Sequence, residues 1–263
     1  MKYRKSAQSL KVDKADKKKL CMLTAYDAIT AGLLEAVGIE MILIGDSLGN
    51  VVAGFDNTLP VTMDHMLYHC QAVARGCERA LLIADMPFMS YQVSDEKARE
   101  NAGRLIKEGG AQAVKIEVFS NEDMSRIQSI LNCGIPVIAH LGLTPQSVYQ
   151  LGGYKRQAKN KSTEAQLIDR AEIAEDIGCF AVILECVPSD VAKTVQQTLT
   201  IPVIGIGAGP DCDGQVLVTQ DLLGLSNKKV PSFVKQYAKL FEPMKKAISA
   251  FKEDVEQSTF PKA

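Results

Sequence analysis

Short apolar runs of strand length alternate along this chain with longer stretches whose apolar residues recur at helical spacing. The runs are Cys21–Tyr26, Met41–Gly45, Ala80–Ala84, Ala113–Val118, Ile135–His140, Phe180–Cys186, Ile201–Ile206 and Val216–Val218. Helix-like stretches lie between most of them: Ala28–Val37, Asp64–Arg75, Ser94–Glu108, Asn121–Asn132, Ser162–Ile177 and Ser189–Leu199. Gly38, Gly76, Gly109, Gly134 and Gly178 close several of these just before the next run. That is the glycine stop of a helix ahead of a buried strand. Eight strands alternating with helices over this length predict an α/β fold, the (β/α)8 or TIM barrel. A doubly wound open sheet is the alternative; the lack of a strand–GxGxxG–helix opening near the start weighs against it. No linker or composition break interrupts the rhythm, so a single domain over 1–263 is expected. It carries a basic leader at 1–19 and C-terminal helices over 232–255 that cap the barrel or pack on a neighbouring subunit.

Composition narrows the partners. The 46% apolar and 23% charged fractions are those of a soluble globular protein. A net charge of -1 gives no electrostatic case for nucleic acid or an acidic membrane. No apolar run reaches membrane-spanning length. The leader holds Lys2, Arg4, Lys5, Lys11, Lys14, Lys17, Lys18 and Lys19 without an apolar segment, so it is no secretory signal. It reads as a surface helix or tail rather than an anion site. The seven cysteines form no C-x-x-C pair, and Cys133, Cys179 and Cys186 lie in or beside apolar runs. Reduced, buried thiols and a cytoplasmic location follow as expectations.

The candidate chemistry sits at strand ends, where barrels of this kind place their active sites. Within Ala113–Val118, Lys115 and Glu117 share one strand face and Val114, Ile116 and Val118 the other. Two charges on one face of a covered strand are costly unless they pair with each other, a metal or a charged substrate. The first strand ends Thr24-Ala25-Tyr26-Asp27, the second Gly45-Asp46-Ser47, the third Ala84-Asp85, the fifth in His140 and the sixth Leu184-Glu185-Cys186. A single such residue reads as a helix cap; so many around one mouth do not. Asp46, Asp85 and Glu117 form an all-oxygen set from three adjacent strands, which suits Mg2+ better than zinc. The bland reading makes Asp46 and Asp85 helix caps. Lys115 would then face a carboxylate-bearing ligand; a Schiff-base role is disfavoured because nearby acids keep it charged. Glu185 closes Ala181-Val182-Ile183-Leu184, surroundings that raise a carboxyl pKa and suit a general base, unless a basic residue pairs with it. His140 reads as a substrate hydrogen-bonder or a structural histidine. His65 and His69, four apart on a helix without a third ligand, read as surface residues. Gly205-Ile206-Gly207-Ala208-Gly209 reads as a phosphate cradle or a tight turn.

Several stretches together resemble the ketopantoate hydroxymethyltransferase family. They are LTAYDA at 23–28, ILIGDSLGNVVAGFDNTLPVTMDHMLYH at 42–69, LLIADMPFMSY at 81–91 and AVKIE at 113–117. They continue with PVIAHLGLTPQSV at 136–148, GGYK at 152–155, LECVP at 184–188 and IPVIGIGAGPDCDGQVLVTQDLLGL at 201–225. The resemblance implies a TIM barrel of the phosphoenolpyruvate/pyruvate-type kind, a cytoplasmic homodecamer, and magnesium at Asp46, Asp85 and Glu117. It implies oxo-acid binding at Asp46, Ser47, Asp85 and Lys115, with His140 lining the site and Glu185 as proton acceptor. The implied reaction carries a hydroxymethyl group from 5,10-methylenetetrahydrofolate to 3-methyl-2-oxobutanoate through a Mg-stabilised enolate, giving 2-dehydropantoate. Two loops depart from the family pattern: Val118-Phe119 replaces a glycine pair after Glu117, and Arg156-Gln157-Ala158 follows GGYK. The alternative is a Mg-dependent oxo-acid lyase or mutase of the isocitrate lyase/phosphoenolpyruvate mutase kind. Those enzymes use a KKCGH-type cysteine loop, which this sequence lacks. A non-catalytic ligand-binding barrel is the more distant rival.

Overall fold

The computed structural model describes residues 4–227 and 229–261, so Lys2 of the basic leader lies outside the described residues. Contacts within the chain divide it into two compact units, with the boundary between Val216 and Leu217.

The first unit is built on a closed barrel of eight strands in sequence order. These are β1 Leu20–Thr24, β2 Met41–Ile44, β3 Leu81–Asp85, β4 Ala113–Glu117, β5 Val137–Gly142, β6 Ala181–Glu185, β7 Val203–Ile206 and β8 Gly214–Leu217. Helices alternate with them: α1 Ala7–Ala15, α2 Ala28–Val37, α3 Leu48–Val51, α4 Met63–Arg75, α5 Asp95–Lys107, α6 Asn121–Leu131, α7 Val148–Leu151, α8 Lys161–Asp176 and α9 Ser189–Thr198. Strand alternation sorts the apolar residues into two sets. Ile42, Ile44, Leu82, Ala84, Val114, Ile116, Ala139, Val182 and Leu184 pack outward with the helices. Leu20, Met22, Met41, Leu43, Leu81, Ile83, Ala113, Ile138, Ala181, Ile183, Ile204 and Val216 fill the interior. The same parity carries on upward into Thr24, Asp85, Lys115, Glu117, His140 and Glu185, so the interior turns from apolar to polar at the C-terminal mouth.

Local signals explain the helix ends. Asp27 accepts from Thr30 N at 2.8 Å and caps α2, which stops at Gly38 with φ 81°. Asp27 is thus a cap and not part of the mouth chemistry. α5 opens on Ser94 with Asp95 and Glu96 in its first turn and ends with Arg104 and Lys107, matching the helix dipole. Gly214 marks a close approach in the barrel wall: a Cβ there would lie 2.5 Å from Leu20 O.

Three expectations change. The leader is more than a surface tail: within α1, Leu10 is fully buried among the interior side chains at the strand beginnings. Lys14 Nζ ties the helix to Asp213 Oδ2 at 2.9 Å, Ile201 O at 2.9 Å and Gln196 O at 3.1 Å, so α1 closes the N-terminal end. Its lysines hide one apolar residue that does this. Cys133 is exposed, because it sits in the turn after α6, whereas Cys179 is buried and Cys186 half-buried. The eighth strand begins at Gly214 rather than Val216, and the seventh at Val203 rather than Ile201, after Pro202.

The second unit holds α10 Thr219–Leu223, ended by Gly224 in the left-handed region, and α11 Phe241–Glu256. Backbone bonds from Tyr237 N to Leu222 O and from Phe241 N to Gly224 O join the two segments. α11 starts nine residues after the expected 232, and Met244, Ile248, Phe251 and Val255 form an exposed apolar stripe along it.

Candidate active site

The mouth collects side chains from β3, β4, β5 and β6 and from the loops after β2 and β5. Lys115 is its centre. It is 5% exposed, its Nζ lies 2.8 Å from Asp85 Oδ1, and it meets His140 Nδ1 at 3.1 Å. Burial alone would lower the lysine; Asp85, Glu117 and Asp46 outweigh it and hold the ammonium charged, above its ordinary range.

A lysine ammonium only donates, so His140 Nδ1 accepts and the ring carries its proton on Nε2. Burial first, and then the neighbouring Lys115 charge, push His140 well below its usual pKa, which keeps the ring neutral. Nε2 faces Glu185 Oε2 at 3.2 Å, without the alignment of a full hydrogen bond. Glu185 ends β6, and burial pushes its carboxyl up to about 7 against the pull of Lys115. The row Lys115–His140–Glu185 therefore runs from a fixed cation through a neutral ring to a carboxyl that titrates near neutrality. The next residue, Cys186, takes the left-handed backbone at φ 50°, a strained turn immediately after Glu185. Gly142 sits opposite at φ 93°, where a Cβ would lie 2.4 Å from Glu185 O.

The acids crowd the other side. Asp46 N donates to Asp85 Oδ2 at 3.0 Å, so the loop after β2 is pinned to the end of β3. Burial and the negative Asp85 raise Asp46 to about 7, against Lys115 and the Gln146 amide. Burial together with Asp46 and Asp85 also holds Glu117 well above the carboxylate range, outweighing Lys115. Ser47 Oγ lies 2.8 Å from Tyr26 Oη, and Tyr26 O is 2.6 Å from His69 Nδ1. His69 is accordingly half-buried and supports this corner, correcting the expectation of a surface residue, whereas His65 is exposed.

Six sequence candidates, Asp46, Ser47, Asp85, Lys115, Glu117 and His140, are thus brought to one mouth, with Glu185 joined through His140. In the Gly205–Gly209 run, Gly205 and Ile206 end β7 and the turn follows; at Gly209 it is too tight for a side chain, since a Cβ there would lie 2.4 Å from Ser189 Cβ. Sequence reasoning missed Gln146 and Tyr91. Gln146 is 5% exposed and reaches Asp46 and Glu117, while Tyr91 Oη donates to Glu117 O at 2.9 Å. Both lie in the motif-bearing stretches, but an uncharged loop side chain gives no chemical signal by type. Among the described residues, no group of three or more His, Cys, Asp or Glu side chains stands close enough together to hold a metal ion as the side chains lie here.

The arrangement can hold an anion against Lys115 and take up a proton at Glu185. The profile of the family described as Ketopantoate hydroxymethyltransferase matches residues 4–263. A 3-methyl-2-oxobutanoate hydroxymethyltransferase of Syntrophotalea carbinolica is 50% identical over 262 residues, covering 99% of this chain and 97% of that protein. A phosphoenolpyruvate phosphomutase from Streptomyces platensis subsp. rosaceus superposes with a TM-score of 0.65 at 15% identity, over 96% of this chain and 88% of that one. A 2,3-dimethylmalate lyase of the PEP mutase/isocitrate lyase superfamily gives 0.60 at 16% identity, over 98% and 89%. The two structural likenesses are of fold alone.

Proposed function

The chain belongs to the ketopantoate hydroxymethyltransferase family, a family of transferases, and from that premise we propose that it converts 3-methyl-2-oxobutanoate and 5,10-methylenetetrahydrofolate to 2-dehydropantoate, a step of pantothenate biosynthesis. The observation that carries the reading is the row Lys115–His140–Glu185: a held cation beside a carboxyl that titrates near pH 7.

The donor set suits a divalent cation. Asp46, Asp85 and Glu117 offer only hard oxygens, and Asp85 Oδ1 is buried with Lys115 beside it but no aligned hydrogen bond. Four carboxyls face one lysine, an imbalance that a Mg2+ ion would relieve. Asp46, Asp85 and Glu117 would hold it through one or two of their carboxylates at a time, with waters in the other positions, as is usual for Mg2+. When bound, it supplies Lewis-acid polarisation of the 2-oxo group.

The chain's own groups do the rest. Lys115 faces the oxo-acid oxygens, with Asp46, Ser47, Asp85 and His140 around it. Glu185 takes the C3 proton, and Lys115 opposes the negative charge that moves onto the 2-oxo oxygen. The C3 electron pair then forms a bond to the methylene carbon of the folate as one of that carbon's two C–N bonds breaks. Water supplies the hydroxyl as the second C–N bond breaks, and the two folate nitrogens take the proton held by Glu185 and the remaining water proton, so that tetrahydrofolate leaves. Neutral His140 donates from Nε2 toward Glu185 once its carboxylate forms, which steadies the base. The exposed Phe119, next to β4, and Tyr154, whose hydroxyl feels Asp46, Glu117 and Glu185, supply apolar surface for the folate ring system. The unusual Arg156-Gln157-Ala158 stretch is anchored here: Arg156 donates to Val187 O at 3.3 Å and Gln157 N to Cys186 O at 2.9 Å. Family membership and the α11 stripe support a homo-oligomer, taken as a decamer in the cytoplasm; none of the described helices is long and apolar enough to cross a membrane.

The test is product formation. Purified protein with Mg2+, 3-methyl-2-oxobutanoate and 5,10-methylenetetrahydrofolate should yield 2-dehydropantoate by mass spectrometry, and omission of either substrate should abolish it. Absence of product with both present overturns the proposal.

A further inference from the structure

Gln146 lies in the single 3-10 turn Pro145–Ser147 beyond β5, yet it touches the tops of three other strands. Its Nε2 donates to Asp46 Oδ2 at 2.9 Å, after β2, and to Met86 O at 2.9 Å, after β3. Its main-chain N–H donates to Glu117 Oε2 at 2.8 Å, at the end of β4. Its Oε1 accepts from Gln92 Nε2 at 3.3 Å and lies 3.1 Å from Tyr91 Oη, whose one proton is shared with Glu117 O. Every side-chain hydrogen-bonding group is therefore used. The amide cannot be turned over, because that would set its oxygen against a carboxylate and a carbonyl.

This is more than a satisfied buried amide. One residue grips one oxygen from each of two carboxyl groups, one in the loop after β2 and one at the end of β4. Asp85, between them, is fixed separately through Asp46 N. We propose that Gln146 is a positioning residue that sets the spacing and facing of Asp46 and Glu117, and so the affinity of the mouth for a divalent cation. The proposal rests on the cation-assisted reading given above. Partners that orient metal-binding side chains typically change affinity by roughly 10- to 100-fold when removed.

The test uses the full chain and Mg2+ alone, titrated by calorimetry into wild type, Gln146→Met and Gln146→Asn. Met fills similar space without a donor, and Asn keeps the amide but falls a methylene short. The Glu117 bond comes from the main chain, so both variants retain it. Both should weaken Mg2+ binding by at least about tenfold while unfolding cooperatively in EDTA. A variant that melts earlier but binds Mg2+ as wild type does makes Gln146 merely structural and overturns the positioning role. If one variant fails to fold, the other decides. Wild type that binds no Mg2+ overturns the cation-assisted reading and the positioning role with it, an outcome distinct from equal binding by all three.

Discussion

Glu185→Gln separates the chemistry of the proposed base from its shape. Glutamine matches glutamate in size and never ionises. Burial raises the Glu185 carboxyl from 4.5 to about 7 in the folded chain. The unfolded chain releases this proton near the ordinary value, whereas the folded chain keeps it until about pH 7. Across that window the folded state holds more protons, so wild-type stability falls as pH rises, and above about pH 7 the full penalty applies. A shift of about 2.5 units corresponds to about 3 kcal/mol. The side chain is 14% exposed, which makes this an upper bound. The variant should therefore match wild type at about pH 4.5 and exceed it by up to about 3 kcal/mol at about pH 8.5. Urea unfolding in EDTA at both pH values measures the difference without cation linkage. The same variant should lose roughly 100- to 10,000-fold in C3 proton abstraction. A stability difference that does not change with pH would refute the buried-carboxyl argument, and unchanged proton abstraction would remove Glu185 from the base role.

Other perturbations probe the frame. Gly142→Ala places a Cβ 2.4 Å from Glu185 O at φ 93°, so it should cost at least about 2 kcal/mol in urea unfolding and slow C3 exchange; a neutral result would show that the strand end yields. Leu10→Ala should cost about 2–5 kcal/mol, because α1 closes the barrel with this side chain, and no loss in urea unfolding would return α1 to a surface role. Lys115→Met leaves Asp85 buried without its cation; it should lose about 3–5 kcal/mol and abolish oxo-acid binding in calorimetry, and retained binding would move the anion contact elsewhere.

Much of the barrel follows from alternation along the strands. The parity of Lys115 and Glu117 within an apolar run already assigns both to one face, and the same parity brings Asp85, His140 and Glu185 to the same mouth. What alternation cannot reach is whatever depends on neighbours far apart in sequence. Gln146 acts a hundred residues from Asp46 through an uncharged amide, which no composition or period marks. Leu10 is one apolar residue among lysines, and its burial depends on the barrel floor above it. Asp27 ends a strand run as Asp46 does, yet it is exposed and caps α2 through Thr30, whereas Asp46 is buried in the mouth.

The most direct measurement is proton NMR of 3-methyl-2-oxobutanoate in D2O with the protein and Mg2+, with no folate present, followed by excess EDTA. The account predicts loss of the C3 proton signal with Mg2+, arrest on chelation and recovery when Mg2+ is restored. A C3 signal that persists in the presence of folded protein and Mg2+ would contradict it.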